Sequence, residues 1–168
     1  GMKQRVMIAM ALACNPEIVI ADEPTTALDV IVAAQILKLM KRLEEELGLT
    51  MILITHDLSN VAETCQKVAV MYAGKLVEFG DIRTIFKTPS HPYTQGLIGA
   101  FPNLKAKQRN RKLASIPGSP PTLLNPPPGC RFAPRCPYAK QLCRTEEPEY
   151  VEIEEGHWVA CHKVVGKI

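Results

Sequence analysis

The sequence contains few aromatic side chains and no long apolar run. Phe, Trp and Tyr make up 5% of its 168 residues, so we expect a core built mainly from aliphatic side chains. The longest apolar run, residues 6–14, is about half of the ~20 residues that a membrane-spanning helix requires. The small-residue cleavage site of a secretory signal peptide is also missing. These absences favour a cytoplasmic protein, which could still lie against a membrane protein.

A strong net charge is missing too, but the charges are unevenly placed. The formal net charge is +3, which is too small to indicate a nucleic-acid or anionic-membrane partner. Residues 103–144 contain nine Lys or Arg and no Asp or Glu, whereas residues 146–155 contain six Glu. This change of composition predicts a domain boundary between Phe101 and Pro117, which gives domains at residues 1–101 and 102–168.

Apolar periodicity predicts alternating helices and strands in the first part of the chain. In the order helix, strand, helix, strand, helix, the predicted elements are residues 2–14, 17–21, 30–47, 50–55 and 57–65. Such alternation favours an α/β fold with a parallel sheet covered by helices. A hairpin is predicted at residues 68–79, followed by short helices at about residues 81–87 and 92–101.

Two adjacent carboxylates, Asp22 and Glu23, follow the first predicted strand. Ligands of open α/β sheets bind at the carboxyl ends of the strands, and neighbouring side chains point in different directions there. Asp22 could hold Mg²⁺ through its water shell, and Glu23 could polarise an attacking water. An isolated Asp-Glu pair is about as often a pair of solvated loop acids, so both interpretations stay open at this point.

The second predicted strand ends at a histidine, His56. Taken alone, His56 is typical of a surface position, and Asp29 is typical of a helix N-cap. Because parallel strands end at the same edge of a sheet, we expect Asp22, Glu23 and His56 to converge. Two acids and an imidazole around one point suit phosphoryl transfer to water.

The residues A-D-E-P-T-T-A-L-D at 21–29 and T-H-D at 55–57 resemble motifs of the ATP-binding cassette (ABC) ATPases. The resemblance implies ATP and Mg²⁺ as cofactors, Asp22 as the Walker B aspartate and Glu23 as the catalytic glutamate. It implies that His56 contacts the γ-phosphate and that Asp29 faces a partner subunit. Gly1 then matches the last glycine of the signature motif and touches ATP that the opposite subunit holds.

The chain departs from that family in lacking the phosphate loop G-x-x-x-x-G-K-[S/T]. Most of the signature motif is missing as well. The fold implied by the resemblance is therefore a truncated P-loop NTPase core of α/β class, followed by a small Cys- and Pro-rich lobe. We expect that the 168-residue chain alone neither binds ATP tightly nor hydrolyses it.

Most of the cysteines are concentrated near the end of the sequence. Four of the six follow the pattern C-x5-C-x6-C-x17-C, at Cys130, Cys136, Cys143 and Cys161. In a reducing compartment such a cluster favours a metal over disulfides, although the spacing is not the paired C-x-x-C of zinc ribbons. His157 and His162 are possible replacement ligands. The alternative is a set of reduced structural cysteines.

Four further segments resemble the C-terminal region of oligopeptide, dipeptide and nickel importer ATPases. They are S-H-P-Y-T-Q-G-L at 90–97, I-P-G at 116–118, G-C-R-F-A-P-R-C-P at 129–137 and G-H-W-V-A-C-H at 156–162. The resemblance implies a [4Fe–4S] cluster on the four cysteines, with Zn²⁺ as the alternative. It also implies a peripheral subunit at the cytoplasmic face of the membrane, which pairs with a second ATPase subunit and with transmembrane permease subunits. A substrate-binding protein would be an indirect partner, and no nucleic acid is expected.

Two other functions stay open from the sequence. A non-transport ABC ATPase that acts on DNA or the ribosome would share the Asp22, Glu23 and His56 pattern. A metal-binding or regulatory module without catalysis would need only the cysteine segment.

Overall fold

The computed structural model describes residues 1–100 and 116–168, which fall into two compact units. The units are Gly1–Cys65 and Gln66–Ile168. The predicted boundary between Phe101 and Pro117 lies almost wholly outside the described residues, as do five of the nine basic residues of the stretch 103–144. The division after Cys65 falls earlier in the chain than that boundary, and the predicted domains at residues 1–101 and 102–168 stay a prediction.

The first unit is a helix–strand alternation around two parallel strands. Its elements are α1 (Met2–Leu12), β1 (Ile18–Asp22), α2 (Val30–Leu47), β2 (Thr50–Ile54) and α3 (Leu58–Thr64). Strands β1 and β2 pair in parallel, with Ile18 opposite Thr50 and Asp22 opposite Ile54. The predicted α/β class with a parallel sheet is confirmed, and β1 begins one residue later than the periodicity indicated.

Helix α2 is fixed at both ends by its own sequence. The side chain of Asp29 accepts a hydrogen bond from the backbone N–H of Val32, which satisfies one of the otherwise unpaired donors of the first turn. Gly48 closes the helix in the left-handed conformation with φ 64°, which a glycine adopts without steric cost. Between these caps, the side chains of Ile36 and Met40 are buried.

The second unit is built on a four-stranded antiparallel sheet of order β3-β4-β6-β5. Its elements are β3 (Lys67–Tyr72), β4 (Lys75–Asp81), α4 (Ile82–Lys87), α5 (Pro92–Gly99), a 3₁₀ turn (Ala133–Arg135), α6 (Gln141–Thr145), β5 (Val151–Glu154) and β6 (His157–Val159). The predicted hairpin is confirmed as β3 and β4, and it is longer than expected. None of the helices in residues 1–100 and 116–168 is long and apolar enough to span a bilayer.

Strand β6 joins the cysteine-containing segment to the hairpin. Glu78 of β4 lies opposite Val159, and Phe79 lies opposite Trp158. These pairings place residues on both sides of the predicted boundary in one sheet. The second compact unit therefore contains the whole antiparallel sheet, and it does not begin where the composition of the chain changes.

The core of this unit contains an aromatic cluster, contrary to the aliphatic core expected from composition. Tyr72 packs edge-on against Phe132, with ring centroids 5.2 Å apart, and Tyr93 lies 4.6 Å from Tyr72. Val70 and Ile85 complete the buried surface around them. The few aromatic residues are thus concentrated where β3, α5 and the cysteine segment meet.

Candidate functional site

The ends of β1 and β2 bring Glu23 and His56 into direct contact. The Oε1 atom of Glu23 lies 2.7 Å from Nδ1 of His56, and the hydroxyl of Thr26 donates to Oε2 of Glu23 at 3.1 Å. The backbone N–H of Glu23 donates to the carbonyl of Ile54 at 2.9 Å. Both carboxylate oxygens therefore have hydrogen-bond partners. One partner is His56, which lies just after the neighbouring strand β2.

The backbone of Glu23 adopts an uncommon conformation. Its φ is 45°, in the left-handed region that residues other than glycine occupy rarely. Such a conformation persists only where the surroundings impose it, and it is most frequent at functional sites. Here it ends β1 at Asp22, and the carboxylate that follows lies against His56.

Glu23 and His56 each stabilise the charged form of the other. The hydrogen bond from His56 lowers the pKa of the Glu23 carboxyl, and the hydrogen bond and negative charge of Glu23 raise the pKa of His56. The His56 side chain is 85% exposed, so solvent can reach the pair. The arrangement provides a carboxylate and an imidazole that can orient a water molecule or a phosphate oxygen.

The other three predicted nucleotide-site residues have different positions in the first unit. Asp22 is the last residue of β1 and directly precedes Glu23, and it lines a cavity of about 150 Å³ between α1, α2 and the strands. Asp29 caps α2. Gly1 caps α1, where an added Cβ would lie 2.9 Å from a methyl of Val32. The carboxylates and imidazole suit the hydrolytic side of a Mg²⁺–nucleotide site, whereas the sequence has no loop to grip the phosphates.

The four C-terminal cysteines line a single small cavity in the second unit. The cavity has a volume of about 20 Å³, and His91 and His162 line it as well. All of these cysteines are free thiols. Burial raises the pKa of Cys130 to about 11 and also raises the pKa of Cys136 and Cys161. These three thiols are therefore protonated at neutral pH when no metal is bound.

Short backbone contacts hold the cysteines around the cavity. The N–H of Cys130 donates to the carbonyl of Cys143 at 2.8 Å. The preceding residue is Gly129, where a Cβ would come within 2.4 Å of that same carbonyl oxygen, so only a glycine permits this approach. Cys136 follows the 3₁₀ turn, and Cys161 follows β6. The close contact at Gly129 and the pairing of β6 with β4 therefore bring cysteines that are far apart in the sequence to one cavity.

The donor chemistry of the cavity suits a metal, but its side chains stand apart. In residues 1–100 and 116–168, no group of three or more His, Cys, Asp or Glu side chains is arranged so that it could hold a metal ion. A cavity of about 20 Å³ accommodates roughly one water-sized species. The described residues therefore support neither the predicted [4Fe–4S] cluster nor the alternative, Zn²⁺.

Sequence reasoning missed a buried carboxylate, Glu78, in β4. Its side chain has no solvent exposure and accepts three hydrogen bonds. The donors are the N–H of Ser90 at 2.7 Å, the N–H of His91 at 3.1 Å and Nε2 of His157 at 2.8 Å. The sequence signal was a single acid between apolar neighbours in a predicted strand. Because acids are rarely buried without partners, such an acid indicates a buried hydrogen-bonded site.

Lowering the pH is expected to destabilise the second unit through His91. Its Nδ1 accepts the N–H of Tyr93 at 3.0 Å, and burial lowers its pKa from 6.5 to about 4, with the nearby Glu78 carboxylate opposing the shift. Between these values the unfolded chain binds a proton that the folded chain does not. The contribution of His91 to the free energy of unfolding is therefore fully present above about pH 6.5. It is lost as the pH drops toward 4, by about 3 kcal/mol in total.

The pH effect can be measured by urea unfolding of the full chain at pH 7 and pH 4.5. Trp158 is the single tryptophan, so its fluorescence reports on the second unit. In His91→Asn the amide can still cap α5, but the titration is removed, and the loss of stability at low pH should shrink. An equal loss in both proteins would show that the effect does not come from His91.

Comparison with known proteins finds two family models that match separate parts of the chain. The family model for ABC transporters matches residues 1–26, and the model described as the oligopeptide/dipeptide transporter C-terminal region matches residues 77–143. The chain is 52% identical over 161 residues to a probable peptide ABC transporter ATP-binding protein of Sinorhizobium fredii. It is 51% identical over 162 residues to the dipeptide transport ATP-binding protein of Escherichia coli.

The matches cover 96% of this chain and 48% and 49% of those two relatives, so the chain spans about half the length of the curated relatives it matches. A solved ATP-binding cassette dimer with ADP and phosphate, in a post-hydrolysis state, is 38% identical with a TM-score of 0.44. That match covers 48% of this chain and 34% of the other.

Over 96% of its length the chain is similar to ATP-binding proteins of ABC transporters. Within that class its relatives are the ATP-binding proteins of peptide and dipeptide transport.

Proposed function

We propose that this chain provides the hydrolytic edge of the ATP-hydrolysing subunit of a peptide importer. The observation that carries the proposal is the contact between Glu23 and His56 at the ends of two parallel strands, 2.7 Å apart. In the complete subunit Glu23 orients and polarises the attacking water, and His56 contacts the terminal phosphate. Asp22 holds Mg²⁺ through water.

The assembly that we propose is a pair of ATPase subunits on the cytoplasmic face of a membrane. Asp29 and Gly1 lie at the ends of helices in the first unit and would face the second ATPase subunit. The pair would act on two transmembrane permease subunits, with a substrate-binding protein as an indirect partner. The names of its relatives, which refer to peptide and dipeptide transport, support this assignment over a role on DNA or the ribosome.

A chimeric protein tests the proposed function. Residues 1–168 replace the matching segment of the Escherichia coli dipeptide transport ATP-binding protein, to which the chain is 51% identical. In cells that lack the native protein, the chimera should restore growth on a dipeptide as the source of a required amino acid. A folded, membrane-associated chimera that hydrolyses ATP but restores no uptake would contradict the peptide-importer assignment.

We also propose that the cysteine cavity binds a metal. The support is that Cys130, Cys136, Cys143 and Cys161 line one cavity, where an ion that binds can displace the protons of the thiols. The full chain, purified without oxygen, is analysed for metal and for absorbance. Bound zinc gives a colourless protein, whereas a [4Fe–4S] cluster gives a brown protein absorbing near ~400 nm.

The matched control for the metal is a cysteine outside the cavity. Cys143→Ser should lose the bound metal, whereas Cys65→Ser in the first unit should retain it. A chain that takes up neither iron nor zinc would contradict the proposed centre and leave the ATPase proposal unaffected.

A further inference from the structure

The carboxylate of Glu23 is held at both of its oxygens. Nδ1 of His56 lies 2.7 Å from Oε1, and the hydroxyl of Thr26 donates to Oε2 at 3.1 Å. An ionised carboxylate can only accept hydrogen bonds, so the hydrogen lies on Nδ1 in one contact and on the threonine oxygen in the other. The proposed function uses Glu23 and His56 but gives Thr26 no part.

The loop that follows Glu23 brings the Thr26 hydroxyl back to the carboxylate. The N–H of Thr26 donates to the carbonyl of Glu23 at 3.1 Å, which closes a tight turn. Residues on both sides of Thr26 adopt the left-handed conformation, Glu23 with φ 45° and Ala27 with φ 61°. Residues other than glycine adopt it rarely, and only where the surroundings impose it. An uncommon backbone conformation therefore places one particular hydroxyl against the carboxylate.

A further hydrogen bond joins the same loop to the helix that follows His56. The side-chain amide of Asn60, in α3, donates to the hydroxyl oxygen of Thr25 at 3.4 Å. Helix α3 begins two residues after His56. The loop that carries Thr26 and the segment that carries the imidazole are therefore joined twice, by this bond and through the Glu23 carboxylate.

Two contacts are needed to fix the plane of a glutamate carboxylate. The terminal torsion of a glutamate side chain, χ3, is broad, so a single contact at Oε1 leaves the plane free to turn. The donor at Oε2 removes that freedom. The two carboxylate oxygens have about four acceptor positions between them, and the Glu23 side chain is 36% exposed, so positions remain for water.

We propose that Thr26 is a positioning residue for the ATP hydrolysis that we assign to Glu23. Its hydroxyl holds the plane of the Glu23 carboxylate, so that the base meets the attacking water in one orientation. Thr26 exchanges no proton with the substrate in this role, and the carboxylate remains the group that polarises the water. The inference rests on the proposed function and adds the residue that orients its base.

Thr26→Val in the chimeric subunit removes the hydroxyl and keeps the branched shape of the side chain. Because misplacement of a reacting group by about 1 Å can cost about 10²-fold in rate, we expect kcat to fall about 10–100-fold. KM for ATP should stay unchanged, since the substitution misplaces the base and not the phosphate contacts. Thr26→Ser keeps the hydroxyl and should retain most of the turnover.

A double variant separates positioning from an independent effect of Thr26. In Glu23→Gln the base is absent, so the addition of Thr26→Val should lower turnover no further. Losses that multiply in the double variant would mean that Thr26 acts without Glu23, and they would overturn the proposal.

The 168-residue chain itself gives a readout that does not depend on turnover. The nuclear magnetic resonance shifts of the His56 ring nitrogens report on the contact with Glu23, and they should show this contact in Thr26→Val as in the unaltered chain. Loss of the contact would mean that Thr26 maintains the fold of the loop and does not orient a base, which would also overturn the proposal.

The same substitution elsewhere in the first unit provides the matched control. Thr50 is the exposed first residue of β2, and Thr50→Val should hydrolyse ATP at the unaltered rate. Full turnover of Thr26→Val in an active chimera would overturn this inference and leave the proposed function in place. An unaltered chimera that hydrolyses no ATP would overturn both.

Discussion

Replacement of Glu23 by Gln is expected to lower the ATP turnover of the chimeric subunit by about 10²–10⁴-fold, which is the usual contribution of a general base. The amide keeps the shape of the side chain and can still accept a hydrogen bond from His56. It cannot take a proton from water or carry the charge that His56 favours. ATP binding should persist, because the phosphates are gripped by other parts of the subunit. Turnover and nucleotide binding are measured separately on the same preparation.

An exposed acid at the other end of β1 provides the control for this prediction. Glu17 precedes the strand and is solvent-exposed, so Glu17→Gln should hydrolyse ATP at the unaltered rate. If Glu23→Gln also retains full turnover, the base is another group, and the contact between Glu23 and His56 is structural. If ATP binding is lost together with turnover, the substitution has disturbed the fold of the first unit.

The first unit could be predicted from local sequence patterns. Residues 18–22 and 50–54 are short apolar runs between helical periodicities, and the structure pairs them in parallel. Acids at the end of one run and His56 after the other could therefore be expected at one edge. The left-handed φ of Glu23 could not be predicted, because Glu is not a residue that favours this conformation.

The second unit depends on contacts between residues far apart in the sequence. Strand β6 has three residues and β5 has four, which is too short for a clear periodicity. Their pairing with β4 joins Phe79 to Trp158. The burial of Glu78 follows from that pairing. Nδ1 of His162 is buried without a hydrogen-bond partner among the described residues, and this follows from the position of α6. A sequence pattern can nominate such residues but cannot place them in contact.

Replacement of Glu78 by Ala is expected to destabilise the second unit by about 3–5 kcal/mol, because each buried donor left without an acceptor costs about 1–3 kcal/mol. The change leaves three donors without an acceptor, on the half-buried Ser90 and on the buried His91 and His157. These donors lie before α5, at its N-cap and on β6. The variant should therefore loosen the attachment of the C-terminal strands to the hairpin. Urea unfolding followed by Trp158 fluorescence measures the loss.

Glu152 of β5 shows why burial, not the number of acids, should decide the effect. Its carboxylate accepts the N–H of Gly156 at 2.7 Å in an exposed position, where water can replace it. Glu152→Ala should cost well under about 1 kcal/mol. Glu78→Gln should fall between the two alanine variants, because the amide oxygen can satisfy some of the donors but carries no charge. Equal losses for Glu78→Ala and Glu152→Ala would mean that Glu78 does not hold the C-terminal strands to the hairpin.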